Sequence, residues 1–257
     1  MTFLDIDISL ITPALLAGVL VLSTHVPLGH EVLKRGIIFI DLAIAQIAAL
    51  GVIAAIVFGG ELSNWQIQVF AGISAALGAV FIYWLEQKHQ ASLEALIGIL
   101  FVLAASGGLI LVSYAPHSDE LLHDLLVGQI LWVNTAQLLW IAALYIPLLI
   151  FWFSNKIQHP LFFYLIFALA VTASVQLVGI YLVFASLILP ALACRHITQV
   201  KKRLFFAYSL GLLGYLLGIL VSLLSDIPTG AIIVWTLLGL SLLMKPIFHK
   251  FNLSSRY

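Results

Sequence analysis

The sequence is poor in charge: only 9% of its 257 residues are Asp, Glu, Lys or Arg, against about a quarter in an average soluble domain. It contains one cysteine, Cys194, so an intramolecular disulfide is excluded. It shows no Walker-type phosphate loop, no recognisable Ser/His/Asp set and no HExxH motif, so we expect neither an enzyme nor an ATPase. Its formal net charge of zero gives no indication of nucleic-acid binding, and we expect no nucleic-acid partner.

Apolar residues, in contrast, fill 63% of the chain and gather in nine segments of 15 to 22 residues. About 20 apolar residues are enough for a helix to cross the roughly 30 Å hydrocarbon layer of a membrane. Helices satisfy their own backbone hydrogen bonds in lipid, whereas the alternation typical of barrel strands is absent. The sequence therefore predicts an all-α polytopic membrane protein with about nine transmembrane segments, in a single domain over residues 1–257. The segments are 8–28, 37–58, 66–85, 93–114, 135–153, 161–178, 180–194, 205–225 and 231–248.

The basic residues predict the orientation of the chain in the membrane. If the N-terminus lies outside and the C-terminus is cytoplasmic, all eleven Lys and Arg fall on the cytoplasmic side, and the outer joints carry only acidic charges. This is a strong form of the positive-inside rule. The basic residues are Lys34, Arg35, Lys88, Lys156, Arg195, Lys201, Lys202, Arg203, Lys245, Lys250 and Arg256, and the outer acids are Asp5, Asp7, Glu61, Asp119, Glu120, Asp124 and Asp226.

The same rule decides how residues 160–194 are divided. Treated as one crossing, they would move basic residues to the outside at one end of the chain or the other, whereas a hairpin that turns near Gly179 moves none. We therefore predict two segments here. The second, 180–194, is short for a crossing, so it is either re-entrant or sheltered by neighbouring helices.

Asp41 is the main anomaly, because a carboxylate inside a membrane is costly and needs a partner or a water-filled cavity. It lies six residues after Arg35, which is about 9 Å along a helix axis at 1.5 Å per residue. The apolar segment that contains it is predicted to begin at residue 37. It is either a hard oxygen ligand or charge for a cation in a translocation path, or it forms an ion pair with Lys34 or Arg35 or a structural hydrogen bond. Gln46 lies about 140° further around the helix, so the two side chains cannot chelate one ion as an i, i+4 pair would. For Gln46 a hydrogen bond across helices is favoured.

The outer joint at 115–134 combines imidazole and carboxylate groups, which suit zinc or related divalent cations. Their spacing matches no compact metal motif, so a solvated docking surface is favoured over a metal site. The residues of this predicted docking surface are His117, Asp119, Glu120, His123 and Asp124.

Three further features have structural explanations. His25 lies near the inner end of the first helix, where a lone histidine is more often hydrogen-bonded structure than a ligand. The charge of Glu94 suits the positive end of the fourth helix. Gly214 and Gly218 form a GxxxG pair, which serves either dimerisation or packing within the chain.

Three segments, in this order and spacing, are similar to those of one protein family. They are HVPLGHEVLKRGIIFIDLAIAQIAALG at 25–51, VGIYLVFASLILPALACR at 178–195 and SDIPTGAIIV at 225–234, and LLVGQIL at 125–131 fits the same pattern. Across essentially the whole chain they resemble the membrane permeases of bacterial zinc/manganese/iron ABC importers. The VG-LV-LILPA pattern is the most specific of these motifs.

This resemblance implies partners and a location. Such permeases form a dimeric pore in the bacterial inner membrane, bind a pair of cytoplasmic ATP-binding subunits, and receive metal from a periplasmic or extracellular binding protein. The chain would bind no cofactor of its own, since the partner would use the ATP and the divalent metal would be the cargo. On this likeness the RHITQVKKR joint would be the ATPase-coupling loop, through Arg195, His196, Lys201, Lys202 and Arg203.

The second helix departs from the family pattern. Typical members carry an Asp and a His four residues apart in this helix, and these bind the metal; alignment on Gly51 puts Leu42 and Gln46 at those positions. Asp41, one residue early, is then the expected acid, and Gln46 is a neutral ligand. Without the imidazole, the preference for zinc weakens.

We therefore expect the permease subunit of an ABC importer for divalent metals, with zinc first and manganese or iron as further candidates. Two alternatives stay open. One is an ABC permease for a metal chelate or another small substrate, and the other is a gradient-driven cation carrier that uses Asp41 as its site.

Overall fold

The computed structural model describes residues 8–59, 63–113, 130–154, 159–225 and 227–254. Within these ranges the chain forms α-helices, two short 3₁₀ turns and connections but no strand, which confirms the all-α prediction for the described residues. The helices are α1 (Ile8–Arg35), α2 (Ile40–Gly59), α3 (Asn64–His89), α4 (Leu93–Val112), α5 (Thr135–Phe153), α6 (Pro160–Val178), α7 (Ile180–Ala193), α8 (Val200–Ser225) and α9 (Thr229–Ser254).

Six stretches of helix are long and apolar enough to cross a membrane. One of them, Trp65–Val112, contains both α3 and α4, which the 3₁₀ turn Gln90–Ser92 separates. Two shorter apolar helices, Ile180–Ala193 and Thr229–Met244, are also present in the described part of the chain. Each predicted segment thus corresponds to one helix, whereas nine crossings and the orientation of the termini stay predictions.

The helical structure is interrupted at Gly179, as predicted. Helix α6 ends at Val178, Gly179 has φ 78°, and α7 begins at Ile180. Glycine adopts this left-handed conformation without the steric cost that a Cβ atom would bring. With 14 residues, α7 is about 21 Å long and therefore shorter than the hydrocarbon layer.

The helices belong to two compact units. The first unit contains Met1–Arg35, Val127–Tyr145 and Leu177–Tyr257, and the second contains Gly36–Leu126 and Ile146–Gln176. The residues of α5 and of α6 are divided between the two units. That the whole chain acts as one domain stays a prediction.

Close helix crossings build the first unit. Helix α1 packs against α7 and α8, and α9 packs against the same two helices. A Cβ atom at Gly218 would lie 2.7 Å from Ile233 Cα, and one at Gly214 would clash with Leu237. The two glycines therefore let α8 and α9 approach each other, so the GxxxG pair serves packing within the chain.

Hydroxyl groups of the first unit satisfy one another across its helices. Ser186 Oγ of α7 lies 2.8 Å from the Tyr215 hydroxyl of α8, and both residues are buried. At the far end of α8, Ser222 donates a hydrogen bond to the Ile227 carbonyl at 2.7 Å and lies 2.6 Å from Thr229 Oγ1. These bonds fix the connection to α9, which carries the SDIPTG motif.

Helix α2 packs against both α3 and α4 in the second unit. Gly51 of α2 lies against Ser74 of α3, where a Cβ atom would clash. Near the other end of α3, the Tyr83 ring lies 5.5 Å from that of His159 and 6.1 Å from that of Tyr164, measured between ring centroids. The packing of α2 against α3 and α4 therefore fixes the position of the N-terminal end of α2.

Candidate functional site

The site begins at the connection between α1 and α2. Helix α1 ends at Arg35, Gly36 takes a left-handed conformation with φ 71°, and α2 begins at Ile40. A glycine in this conformation is a common helix terminator. The predicted helix start at residue 37 is therefore wrong, and so is the 9 Å spacing along a single axis. Asp41 is instead the second residue of α2, where the positive end of the helix favours a carboxylate.

Asp41 is buried without a partner. The residue is 1% exposed, and neither carboxylate oxygen accepts a hydrogen bond from a described residue. The backbone amides of Asp41 and Leu42 direct positive charge toward the carboxylate without reaching normal hydrogen-bond geometry. A buried charged group in this state costs free energy, because the water it has lost is not replaced.

One prediction for Asp41 was an ion pair with Lys34 or Arg35. Both of these cations contact Glu31 within α1. Lys34 Nζ lies 3.7 Å and Arg35 Nε lies 3.0 Å from the Glu31 carboxylate oxygens. These i, i+3 and i, i+4 pairs form within α1, where helical spacing brings the side chains together. The ion pair of Asp41 with Lys34 or Arg35 stays a prediction, and no described residue donates a hydrogen bond to the Asp41 carboxylate.

Glu94 is a second acid at this site, and its role was missed at the sequence level. It is the second residue of α4, as Asp41 is of α2. Its Oε1 accepts a hydrogen bond from the Phe39 backbone N–H at 3.1 Å, and its Oε2 is buried with no hydrogen-bond partner in the described ranges. The Asp41 and Glu94 carboxylates are near enough to repel each other. The charge topology carried a signal for this pair, because it places the N-termini of α2 and α4 on one side of the membrane.

Gln46 lies further along α2 and is half-buried. It makes no hydrogen bond to another described residue, so the predicted bond across helices is not found there. With five residues between them on a regular helix, Gln46 and Asp41 point about 140° apart. The structure therefore gives Asp41 a neighbour in Glu94 rather than in Gln46.

The chemistry available at the N-termini of α2 and α4 is that of oxygen ligands. Among the described residues, no three His, Cys, Asp or Glu side chains come together as a closed metal site would require. Two carboxylates without imidazole or thiolate suit hard divalent cations that keep part of their water shell.

Of the predicted ATPase-coupling residues, Arg195 and His196 lie in the connection between α7 and α8, whereas Lys201, Lys202 and Arg203 belong to the first turn of α8. Arg195, Lys201 and Lys202 are exposed, and Arg195 Nε donates a hydrogen bond to His196 Nε2 at 3.1 Å. Arg203 differs, because it is half-buried and its Nε is enclosed with no hydrogen-bond partner in the described part of the chain. The exposed surface of this loop therefore comes from the other basic residues, and its coupling role stays a prediction.

His25 is buried, and its Nδ1 lies 2.9 Å from the Val21 carbonyl oxygen one turn earlier in α1. Its Nε2 has no hydrogen-bond partner among the described residues, so the structural interpretation of His25 stays a prediction. The docking surface falls outside the described residues and stays a prediction. Its residues are His117, Asp119, Glu120, His123 and Asp124.

Comparison with known proteins places these features in a family. The chain matches the model of the ABC 3 transport family over residues 7–162 and 154–246. It is 28% identical to the manganese transport system membrane protein MntC of Listeria monocytogenes, over 91% of this chain and 90% of the relative. It is 24% identical to the high-affinity zinc uptake system membrane protein ZnuB of Haemophilus influenzae, over 86% of this chain and 91% of the relative.

The fold is also found in a solved structure. PsaBC from Streptococcus pneumoniae, in complex with Fab, matches with a TM-score of 0.71 and 22% identity, over 90% of this chain and 89% of that chain. The family match extends over nearly all of the described helices, and it agrees with the multi-pass membrane architecture and with the absence of enzyme motifs. The chain therefore belongs to the ABC 3 transport family and is a transport component rather than an enzyme.

Proposed function

We propose that this chain is the membrane permease of an ABC importer that moves a divalent metal of the manganese, zinc and iron group across the bacterial cytoplasmic membrane. Family membership and the similarity to MntC and ZnuB support the transport role. The observation that carries the choice of cargo is Asp41, a 1% exposed residue in the first turn of α2 whose carboxylate accepts no hydrogen bond from a described residue. Such an acid is costly inside a membrane protein unless a cation binds to it.

The permease works with separate partners. A cytoplasmic subunit binds and hydrolyses ATP, since this sequence has no phosphate-binding loop. That subunit docks on the connection between α7 and α8 and on the first turn of α8, where Arg195, Lys201 and Lys202 present exposed positive charge. A metal-binding protein outside the membrane delivers the ion to a surface that includes residues 117–124, and two copies of the permease form the pore.

Ligand chemistry favours manganese as the cargo, ahead of the zinc expected from the sequence. Asp41 offers carboxylate oxygen atoms, and Leu42 stands where the family pattern has its Asp. Carboxylate and carbonyl oxygens suit manganese, whereas imidazole suits zinc. Zinc and iron stay in the group of candidate ions, and direct competition separates them.

The test is uptake of radioactive manganese and zinc by bacterial cells that lack their own importers. The chain is expressed with its ATP-binding subunit and binding protein, as wild type, as Asp41→Asn and as Glu86→Gln, which removes a charge from α3 as a control. We expect uptake to require the ATP-binding subunit and to fall by about tenfold or more in Asp41→Asn only, as for loss of a metal-site residue. Excess unlabelled manganese should suppress zinc uptake more than zinc suppresses manganese uptake.

Other results would favour the competing functions. Uptake that continues without the ATP-binding subunit and stops with an uncoupler identifies a gradient-driven carrier. Uptake only when the metal is supplied as a chelate identifies a chelate permease. Undiminished uptake of both metals by Asp41→Asn would remove the observation on which the choice of cargo rests.

A further inference from the structure

The N-terminal ends of α2 and α4 are joined by a hydrogen bond that places two acids together. Glu94 Oε1 of α4 accepts the Phe39 backbone N–H at 3.1 Å, just before α2 begins. Asp41 follows two residues after Phe39, and α2 packs along α4. The two carboxylates therefore meet where both helices start.

Three of the four carboxylate oxygens are buried and without donors. These are both oxygens of Asp41 and Oε2 of Glu94, and none of them accepts a hydrogen bond from a described residue. A carboxylate only accepts hydrogen bonds, so two carboxylates cannot satisfy each other without a proton or a cation between them. The geometry thus leaves three buried acceptor oxygens without a donor among the described residues.

The sequences of α2, α3 and α4 offer one Lys or Arg to these acids. In the sequence of α2, α3 and α4 the only Lys or Arg is Lys88, and its Nζ lies 4.4 Å from the centroid of the Trp84 ring. The N-terminal ends of α2 and α4 supply partial positive charge, which amounts to about half an elementary charge each. If both acids are ionised, these helix ends compensate their charge only in part.

We propose that Asp41 and Glu94 together bind a divalent cation between the N-terminal ends of α2 and α4. Glu94 is held in place through Oε1 by Phe39, which leaves Oε2 free to bind the ion beside the two oxygens of Asp41. Water and carbonyl oxygens complete the ligand set, as is usual for hard cations. The second ligand of the pathway is then Glu94, from another helix, rather than Gln46.

The inference rests on the proposed metal import, because the ion bound here is the transported one. On the predicted orientation, α2 and α4 both begin at the cytoplasmic side. The pair is therefore a site on the exit half of the path, which the ion occupies before it enters the cytoplasm. A site made of few protein ligands suits an ion that has to leave again.

The test measures manganese binding to the permease in complex with its ATP-binding subunit, in lipid nanodiscs. Free Mn²⁺ is followed by its electron paramagnetic resonance signal, which disappears on binding. The variants are Asp41→Asn, Glu94→Gln and their combination, with Glu86→Gln as a control acid on α3. Glu94→Gln is informative because its amide oxygen still accepts the Phe39 N–H, so only the charge is removed.

Each single variant is expected to weaken Mn²⁺ binding by about tenfold or more, a typical cost of altering a metal site. The double variant should lose little more than either single one, because both groups bind the same ion. Glu86→Gln should bind as the wild type does, and thermal unfolding should show that all variants fold. Wild-type affinity in Glu94→Gln would overturn the pair site, whether or not Asp41→Asn is impaired.

Uptake by the same variants in cells separates this inference from the proposed function. Manganese uptake by the wild-type complex, together with unchanged Mn²⁺ binding in Glu94→Gln, overturns the pair site and leaves metal import standing. Absence of uptake of any of the three metals by the complete wild-type complex overturns metal import itself. A tenfold loss of both binding and uptake in Glu94→Gln supports both proposals.

Discussion

A buried hydroxyl pair in the first unit and a carboxylate pair in the second differ in how far their hydrogen-bonding groups are satisfied. In the first unit, Ser186 and Tyr215 bond to each other between α7 and α8. In the second, Asp41 and Glu94 are brought together with three oxygens unsatisfied. The difference follows from the groups themselves, since a hydroxyl both donates and accepts whereas a carboxylate only accepts.

This difference separates scaffold from site. A satisfied hydroxyl pair across two helices stabilises their packing and needs nothing else. An enclosed carboxylate pair costs stability and is explained when a cation from outside the chain completes it. The Ser186–Tyr215 pair thus has the polar chemistry of a rigid support, and the Asp41–Glu94 pair has that of a site that lacks its ligand.

The largest effect should come from filling a close helix crossing of the first unit, between α8 and α9. Gly218→Ala places a Cβ atom 2.7 Å from Ile233 Cα, so α8 and α9 must separate. We expect a loss of about 1–3 kcal/mol in the free energy of unfolding, as for other overpacked sites. The measurements are the thermal unfolding midpoint and the yield of monodisperse protein in detergent.

Gly98→Ala is the matched control, because a Cβ atom at Gly98 of α4 meets nothing within 4 Å. There the same substitution should be neutral or stabilising, by up to about 1 kcal/mol, since alanine is the better helix former. Equal stability of the two variants, with loss of dimers in Gly218→Ala alone, would show that the GxxxG pair serves dimerisation instead of packing within the chain.

Removal of one buried acid should increase the free energy of unfolding instead of lowering it. In the presence of a chelator, Asp41→Asn takes an uncompensated charge out of the second unit, and the new amide can donate a hydrogen bond to Glu94. We expect a gain of about 1–2 kcal/mol, the usual scale for an unsatisfied buried group, which is a rise of roughly 2–4 °C in the midpoint per kcal/mol for a chain of this size.

In excess manganese the wild type should be more stable than Asp41→Asn, because the metal stabilises the wild type and not the variant. Glu86→Gln provides the control for loss of an acid on α3. If Asp41→Asn lowers the unfolding midpoint in the chelator, the charge of Asp41 is already compensated within the chain, and the contrast between the two units fails.

The sequence predicts those parts of the fold that depend on local composition. Apolar runs predict the helices, and Gly179 predicts the break between α6 and α7, which its left-handed conformation confirms. The helix start at Ile40 was missed, because apolar residues continue through 37–39 while Gly36 ends the preceding helix. Local hydrophobicity does not register that change of backbone conformation.

Of the two acids in the candidate site, the sequence singled out Asp41 but not its pairing with Glu94. Asp41 stands out in the sequence as an acid within an apolar run, whereas Glu94 has a sufficient local explanation at the start of its own helix. Its bond to Phe39 joins residues 55 positions apart and exists only because α2 and α4 pack together. Pairings of this kind depend on tertiary structure, which residue spacing along one helix does not report.

The smallest effect is expected from opening the hydroxyl pair of the first unit. Tyr215→Phe keeps the ring that packs against Gly18 and removes only the hydroxyl that bonds to Ser186. Ser186 can then bond back to a carbonyl of its own helix, so the loss should be about 0.5–1 kcal/mol. Thermal midpoints of Tyr215→Phe, Ser186→Ala and the double variant form a cycle that isolates the pair. A gain in stability on removing the Tyr215 hydroxyl would mean that this pair is as poorly satisfied as the carboxylates, so that buried polar groups no longer distinguish scaffold from site.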